Sequence, residues 1–165
     1  MKQIPLTQGQ VAIVDDDDFE WLMQHKWYAR ENSYEFYAMR NVRRDNGKRT
    51  SLYMHRAILQ EHGDDLDGLL VDHASGNTLD NRKCNIRTAT RSQNAQNSPR
   101  HKVGISGYRG VKKDRTRWRA SIKVNDRRVY LGLFPTPIEA ALARDRAAIE
   151  HHGEFAILNF TDEAR

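Results

Sequence analysis

The sequence predicts an α+β protein in which a strand–loop–strand–helix module is preceded by a small strand-rich region and followed by a three-stranded antiparallel sheet packed on one helix. Three observations predict it. Short apolar runs alternate with turn residues over the first ninety residues, strict two-residue alternation begins at Arg117, and an alanine-rich helical segment follows Pro137. We place the parts at residues 1–50, 51–98 and 106–160, with a Pro- and Gly-bracketed linker at 99–105.

The first fifty residues predict a small α+β lead-in. An apolar strand at 11–14 precedes four aspartates at 15–18 that open a helix. Acidic side chains at a helix start are favoured by the helix dipole and by capping, so this run does not by itself indicate a metal site. Two paired strands and a hairpin turn at 45–48 follow. Two roles stay open for this part: completing the core of the next part, or extending a binding surface.

The middle part holds the most informative spacing. After a helix at 53–62, an apolar strand at 69–71 ends at Asp72 and His73, and a polar loop leads to a strand at 85–88 and a short helix from 90. Adjacent side chains at a strand end diverge, so one can hold a metal while the other addresses a water. His73 titrates near neutrality and suits proton transfer. Asn94, on the helix, offers an amide oxygen as a second hard ligand.

The charge distribution indicates an anionic partner. The 165 residues hold 27 Lys plus Arg and 22 Asp plus Glu, yet residues 101–135 alone hold ten basic residues against two acids. A local basic surface is the electrostatic footprint of nucleic-acid binding. No apolar run approaches the roughly 20 residues of a membrane span. The single cysteine, Cys84, excludes an internal disulfide and a Cys-x-x-Cys zinc site, and we expect a cytoplasmic protein.

The basic residues fall on a predicted sheet with two unlike faces. Over 117–124 the apolar residues point toward the alanine-rich helix, and the polar ones point away from it. Arginine contacts guanine edges and lysine contacts phosphates, so the outward face predicts a duplex-DNA reader. The candidate contacts are Arg109, Lys112, Arg117, Arg119, Ser121, Lys123, Arg128 and Tyr130. An RNA-binding module is disfavoured because paired surface aromatics that stack bases are lacking.

Residues 52–97 resemble the HNH endonucleases, in the ββα-metal subset of phage and intron-encoded homing enzymes. The matching stretches are Met54-His55-Arg56, Val71-Asp72-His73, Gly76-Asn77, Asp80-Asn81-Arg82, Asn85-Ile86-Arg87 and Ser92-Gln93-Asn94. The resemblance implies that His73 is the general base, that Asn85 braces the loop and orients His73, and that Asp72 and Asn94 hold the metal. Because Asn94 stands where many relatives have histidine, Mg²⁺ or Mn²⁺ is expected rather than zinc.

Residues 106–160 resemble the plant APETALA/ethylene-response-factor DNA-binding domain. The matching stretches include Tyr108-Arg109-Gly110-Val111, Trp118-Arg119-Ala120-Ser121-Ile122, Tyr130-Leu131-Gly132-Leu133-Phe134 and Leu158-Asn159-Phe160. Arg144 replaces a family tyrosine, and Ser121 and Tyr130 stand where plant members often have Glu and Trp. The plant target sequence is therefore not transferred.

Together these patterns predict a metal-dependent DNA endonuclease of phage or mobile-element origin, which nicks or cuts duplex DNA. The alternative is a DNA-binding regulator that keeps the HNH fold without catalysis. One active site per chain makes a monomer a nickase, whereas a homodimer would cut both strands. For His55 two interpretations stay open, a phosphate contact or a packed structural residue.

Overall fold

A computed structural model describes residues 1–32, 35–96 and 104–160, which divide into two compact units, Met1–Thr90 and Arg91–Arg165. The predicted linker at 99–105 lies outside the described residues apart from positions 104 and 105. The architecture is α+β, as predicted, with helices and several antiparallel sheets. No helix among the described residues is long and apolar enough to span a membrane.

The N-terminal unit contains three small antiparallel sheets and two helices. A hairpin pairs β1 with β2, a three-stranded sheet has the order β3-β4-β5, and β6 pairs with β7. Helix α1 lies between β2 and β3, and α2 follows β5 directly. The bounds are β1 Lys2–Pro5, β2 Val11–Val14, α1 Asp16–Met23, β3 Tyr28–Asn32, β4 Glu35–Arg43, β5 Arg49–Tyr53, α2 Met54–Glu61, β6 Leu70–His73 and β7 Ile86–Ala89.

One hydrophobic core joins the first fifty residues to the strands that follow. Val14 and Leu22 from the lead-in and Met54 and Ile58 from α2 are fully buried in the same cluster, which also contains Ile86 of β7. The lead-in therefore contributes to the core that supports β6 and β7. Of the two roles left open by the sequence, completing this core is the one that the packing displays.

The C-terminal unit holds α3, a three-stranded antiparallel sheet of order β10-β9-β8, and the long helix α4. Two alanine-lined clusters pack α4 against the sheet, because small side chains allow a helix to lie close to the strands. Gly153, with φ of 53°, ends α4 in a backbone conformation that favours glycine. The bounds are α3 Arg91–Gln96, β8 Val111–Asp114, β9 Arg117–Val124, β10 Arg127–Phe134 and α4 Pro137–His152.

Two strands were not predicted, β1 and β5. Each has few buried residues: only Ile4 of β1 is buried, and no residue of β5 is fully buried. With one apolar side chain each in contact with the core, Ile4 and Leu52, these strands show no repeated two-residue pattern of hydrophobicity that would reveal them. The acidic helix start also differs in detail. Asp15 occupies the N-cap position of α1, but its carboxylate accepts from the backbone N–H of Lys83 at 2.8 Å instead of capping.

Candidate active site on β6 and the loop that follows it

The end of β6 places Asp72 and His73 side by side in a buried position. Asp72 is 6 % and His73 is 5 % exposed. Antiparallel pairing with β7 sets Asp72 opposite Arg87 and His73 opposite Ile86. Consecutive strand residues point to opposite faces, so the carboxylate and the imidazole enter different surroundings. Two buried ionisable groups at one strand end are unusual for a purely structural strand.

The Arg87 guanidinium holds the Asp72 carboxylate. Its Nε and Nη2 both donate to Asp72 Oδ2, at 3.0 and 2.9 Å. A charge-assisted pair of this kind fixes the carboxylate in one orientation. A buried carboxylate with a fixed direction is suited to holding a cation.

Asn85 fastens both ends of the loop that follows His73. Its Oδ1 accepts from the backbone N–H of Ser75 at 2.8 Å, and its Nδ2 donates to the Asp80 carbonyl at 2.7 Å. Its own carbonyl accepts from the N–H of Ala74 at 2.8 Å. Because these contacts begin at the residue after His73, Asn85 limits the backbone freedom on which the His73 orientation depends.

Asp80, Asn81 and Asn77 support the loop from within. Asp80 accepts from Nε and Nη2 of Arg82 at 2.8 and 2.6 Å, and Asn77 Oδ1 accepts from the N–H of Leu79 at 3.1 Å. The loop is also tied to β2, since the N–H of Asn81 donates to the Ile13 carbonyl at 2.8 Å. These are turn and anchoring contacts, which give the three residues a structural role in the loop.

Aromatic and imidazole rings surround His73. The His55 ring meets it edge-on at a centroid distance of 5.0 Å, and Tyr37 lies 6.2 Å away. Tyr53 stacks on His55 at 5.1 Å. Spacing along the sequence gave no signal for Tyr37 or Tyr53, since tertiary packing of β4 and β5 brings Tyr37 to His73 and Tyr53 to His55. His55 is thus a packed residue beside His73, as one of its two interpretations predicted.

Burial lowers the pKa of both histidines. For His73 the loss of hydration is the largest cause, and the Asn81 side chain with the charges of Asp72, Asp80 and Glu35 opposes it. For His55 burial holds the pKa well below its ordinary value, and the neighbouring His73 and Arg56 lower it further. Both rings are therefore neutral at neutral pH, and a neutral imidazole at His73 can accept a proton.

We expect His55 to make the folded protein less stable in acid. The unfolded chain takes up a proton near the ordinary pKa of histidine, whereas folded His55 does not, so the free energy of unfolding falls as the pH is lowered. Between about pH 7 and about pH 5.5, His55 should lower the free energy of unfolding by up to about 1.4 kcal/mol. Urea unfolding at the two pH values should show a smaller pH dependence in His55→Gln than in wild type. His151→Gln, at an exposed position, is the control and should keep the wild-type dependence; an unchanged dependence in His55→Gln would contradict the prediction.

The donor set fits a hard divalent cation. Asp72 supplies a carboxylate, and no group of three or more His, Cys, Asp or Glu side chains suited to a metal occurs among the described residues. Magnesium commonly takes one or two protein oxygens and completes its shell with water and phosphate oxygens. Asn94, the second predicted ligand, lies half-buried on α3 in the C-terminal unit, whereas Asp72, His73 and Asn85 lie in the N-terminal unit.

Candidate nucleic-acid surface on the C-terminal sheet

The alternation predicted for β9 separates its two faces. Ala120 and Ile122 are buried against α4 with Trp118 and Val124 beside them, while Arg117, Arg119 and Lys123 are exposed. Lys112 of β8 and Arg128 of β10 are also exposed, and Tyr130 is 59 % exposed. Five of the predicted contact residues line one cavity of about 450 Å³: Arg109, Lys112, Ser121, Lys123 and Arg128.

Two of the predicted contacts are held in place by neighbours. Nη2 of Arg119 donates to Asp114 Oδ2 at 2.5 Å, and its guanidinium lies 5.9 Å from the centre of the Tyr130 ring. Arg109 is half-buried, and burial together with the nearby Arg144 charge lowers its pKa to about 10. The Arg109 guanidinium remains cationic at neutral pH, and the contacts of Arg119 restrict its orientation, which would reduce the entropy lost on binding.

Gly110 allows the chain to pass close to β9 and α4. With φ of 77°, it occupies a region that favours glycine, and an added Cβ would stand 2.6 Å from the Ser121 carbonyl oxygen and 2.8 Å from Cγ of Arg144. Arg144 is 3 % exposed and donates to Asp145 and to the Ile157 carbonyl. Its buried position explains how arginine replaces tyrosine here without adding a surface charge.

Sequence comparisons find similar proteins for the HNH-like part of the chain and for its C-terminal part. An HNH endonuclease family model matches residues 52–96. A protein of Acanthamoeba polyphaga mimivirus named as an uncharacterized HNH endonuclease is 32% identical over 158 residues, which covers 94% of this chain and 78% of that protein. The C-terminal part is similar to the APETALA2-like protein 2 of Oryza sativa subsp. indica, 45% identical over 60 residues, and to an AP2-like ethylene-responsive transcription factor of Arabidopsis thaliana, 46% identical over 61 residues. These two matches are short, each covering 34% of this chain and 14% and 18% of the plant proteins.

Proposed function

This chain belongs to the HNH endonuclease family, and from that membership we propose that it hydrolyses phosphodiester bonds in duplex DNA with His73 as the general base. The observation that carries the proposal is the buried Asp72–His73 pair at the end of β6, followed by a loop that Asn85 fastens. A neutral imidazole and an oriented carboxylate at adjacent positions meet the two needs of metal-assisted hydrolysis, a proton acceptor and a cation ligand.

In this mechanism His73 takes a proton from the attacking water. Its ring is positioned by His55 and Tyr37 packed against it and by the loop that begins at Ala74. Asn85 acts through that loop as a positioning residue and does not touch the reacting atoms. The hydrophobic and aromatic surroundings limit the water around the imidazole, which keeps it unprotonated and available.

Asp72 and Asn94 are the proposed metal ligands. Arg87 holds the Asp72 carboxylate in one orientation through two hydrogen bonds, and Asn94 is assigned from its motif alone. When bound, a divalent cation neutralises charge on the phosphate and on the leaving 3′ oxygen. An all-oxygen donor pair favours Mg²⁺, with Mn²⁺ as the second choice.

The C-terminal sheet supplies DNA affinity and part of the sequence preference. Its exposed face bears the cationic side chains named above, and its similarity to plant transcription factors of the AP2 type supports a duplex-DNA partner. Lysines contribute mainly phosphate contacts, while arginines are able to contact base edges. A monomer of this chain would nick one strand, and a homodimer would cut both.

A plasmid assay tests the proposed function through its metal requirement. Supercoiled plasmid bearing the target should be converted to open-circular or linear form by the wild-type chain with Mg²⁺, and conversion should stop when EDTA removes the metal. Adding Mn²⁺ in excess of the EDTA should restore conversion of the plasmid. If the plasmid stays supercoiled at enzyme excess on its proper target while the chain binds duplex DNA, the DNA-binding regulator is the correct function instead.

A further inference from the structure

A second basic element lies in the N-terminal unit, on the hairpin that joins β4 to β5. Residues 40–49 contain five basic residues and one acid. Arg43 and Arg49 stand directly opposite each other in the strand pairing, and both are exposed. Like charges directly across a pair of strands destabilise it. Among the described residues neither guanidinium has an acidic partner, so a bound polyanion would relieve their repulsion.

These arginines belong to what we call the open face, the side chains of β3, β4 and β5 that point away from the core. Alternation assigns to it Tyr28, Arg30, Asn32, Glu35, Tyr37, Met39, Asn41, Arg43, Arg49, Ser51 and Tyr53, of which Glu35 is acidic and Met39 is buried. The opposite face is the buried one, since Ala38 and Leu52 pack in the core. Part of the open face encloses a concave space of about 500 Å³ lined by Arg30, Tyr37 and Tyr53 among others. Its tyrosines, amides and arginines are hydrogen-bond donors suited to phosphate and sugar oxygens.

The open face ends at the active site. Tyr37 is within ring contact of His73, and Tyr53 stacks on His55. From Tyr37 to Arg43 the strand runs six residues, roughly 20 Å at the rise of a β-strand. One strand of a duplex advances about 3.4 Å per phosphate along the axis, so this length corresponds to about six base pairs.

We propose that the open face binds the phosphate backbone of duplex DNA beside the cleavage site, with Arg43 and Arg49 contacting phosphates about six base pairs from the scissile bond. The inference rests on the proposed function in taking duplex DNA as the substrate. It assigns to the N-terminal unit its own DNA contact, in addition to the C-terminal sheet. The separate role of this surface is to seat the DNA next to His73.

The test measures binding and cleavage separately on the full chain. Affinity for a target duplex is measured in EDTA over a range of salt concentrations for wild type and for the double variant Arg43→Gln/Arg49→Gln. The control, Lys26→Gln/Arg146→Gln, removes two exposed charges elsewhere. We expect about tenfold weaker binding and a salt-dependence slope lower by about 2 for the arginine variant, because each lost phosphate contact removes about 0.9 from the slope. The control should bind like wild type.

Uncharged methylphosphonates placed singly along the duplex locate the contact. In wild type they should weaken binding at phosphates about six base pairs from the cut, and in the arginine variant the same positions should have no effect. The inference would be overturned if the arginine variant had the affinity, the salt-dependence slope and the methylphosphonate pattern of wild type. This holds even if the wild-type chain nicks DNA normally with Mg²⁺. Conversely, a chain that never nicks but shows the expected losses would refute the nuclease proposal and support the open face. Absence of any duplex binding would overturn both.

Discussion

Replacing His73 with alanine is expected to lower the rate of DNA cleavage by about 10²- to 10⁴-fold, the usual contribution of a general base. Binding of the target duplex should remain close to that of wild type, since the ring is 5 % exposed and has little surface to offer to DNA. Plasmid nicking with Mg²⁺ and duplex binding in EDTA, measured on the same preparations, separate the two effects. A loss of rate with retained affinity is the signature of a group that acts in the reaction rather than in binding.

The control for this prediction must show that the variant is folded. Alanine at position 73 leaves space beside His55 and Tyr37, so the thermal unfolding midpoint is measured alongside, and His73→Gln provides a variant of more similar volume. His151→Ala, at an exposed position on α4, should cleave like wild type. Cleavage by folded His73→Ala within tenfold of wild type would assign the proton transfer to another group.

The elements that the sequence predicted well are those whose two faces meet different surroundings. In β9 four apolar residues alternate with four polar ones, and the structure has the strand over the predicted residues, 117–124. Helix α4 was predicted as an alanine-rich segment after Pro137, and the helix begins at Pro137, where the Thr136 hydroxyl accepts from the N–H of Glu139 at 3.2 Å. Local chemistry defines such elements, so local sequence reveals them.

The surroundings of the candidate site depended on contacts between distant segments. Asp72 and His73 were singled out from their adjacent placement, but Tyr37, which lies beside His73, is thirty-six residues earlier in the chain. Similarly, the lead-in gave no sign that Leu22 would share a core with Ile86. Sheet pairing and core packing decide these neighbours, and neither follows from the spacing of residues within one segment.

The charged surfaces of the folded protein could likewise not be predicted from the charges counted along one segment. Summed over the first sixty residues, nine basic and eight acidic residues nearly cancel. Folding separates them: acids gather at the start of α1, and Arg43 and Arg49 are brought face to face on the β4–β5 hairpin. An electrostatic surface is a property of the folded arrangement, which a count along a segment averages away.

Replacing Asp145 with asparagine is expected to destabilise the C-terminal unit by about 3–5 kcal/mol, the cost of breaking a buried charged network. Asp145 is 6 % exposed, and its Oδ2 accepts from the backbone N–H groups of Asn159 and Phe160 at 2.7 and 3.1 Å. Its Oδ1 accepts from Asn159 Nδ2 at 3.0 Å and from Arg144 Nη1 at 3.2 Å. An amide in its place has only one acceptor oxygen for these four donors, and Arg144 is left buried without a counter-charge.

The consequence should reach the candidate nucleic-acid surface through Asn159. Its Oδ1 accepts from the N–H of Arg109 at 2.6 Å, and its Nδ2 donates to the Arg109 carbonyl at 3.2 Å. Hydrogen exchange followed by mass spectrometry should show faster exchange in β8–β10 and α4 of Asp145→Asn, with weaker binding of duplex DNA. Glu150→Gln removes one exposed carboxylate from the same helix and should change stability by no more than about 0.5 kcal/mol. If the backbone amides were equally protected from hydrogen exchange in the two variants, the Asp145 contacts would contribute no more to stability than an exposed carboxylate does.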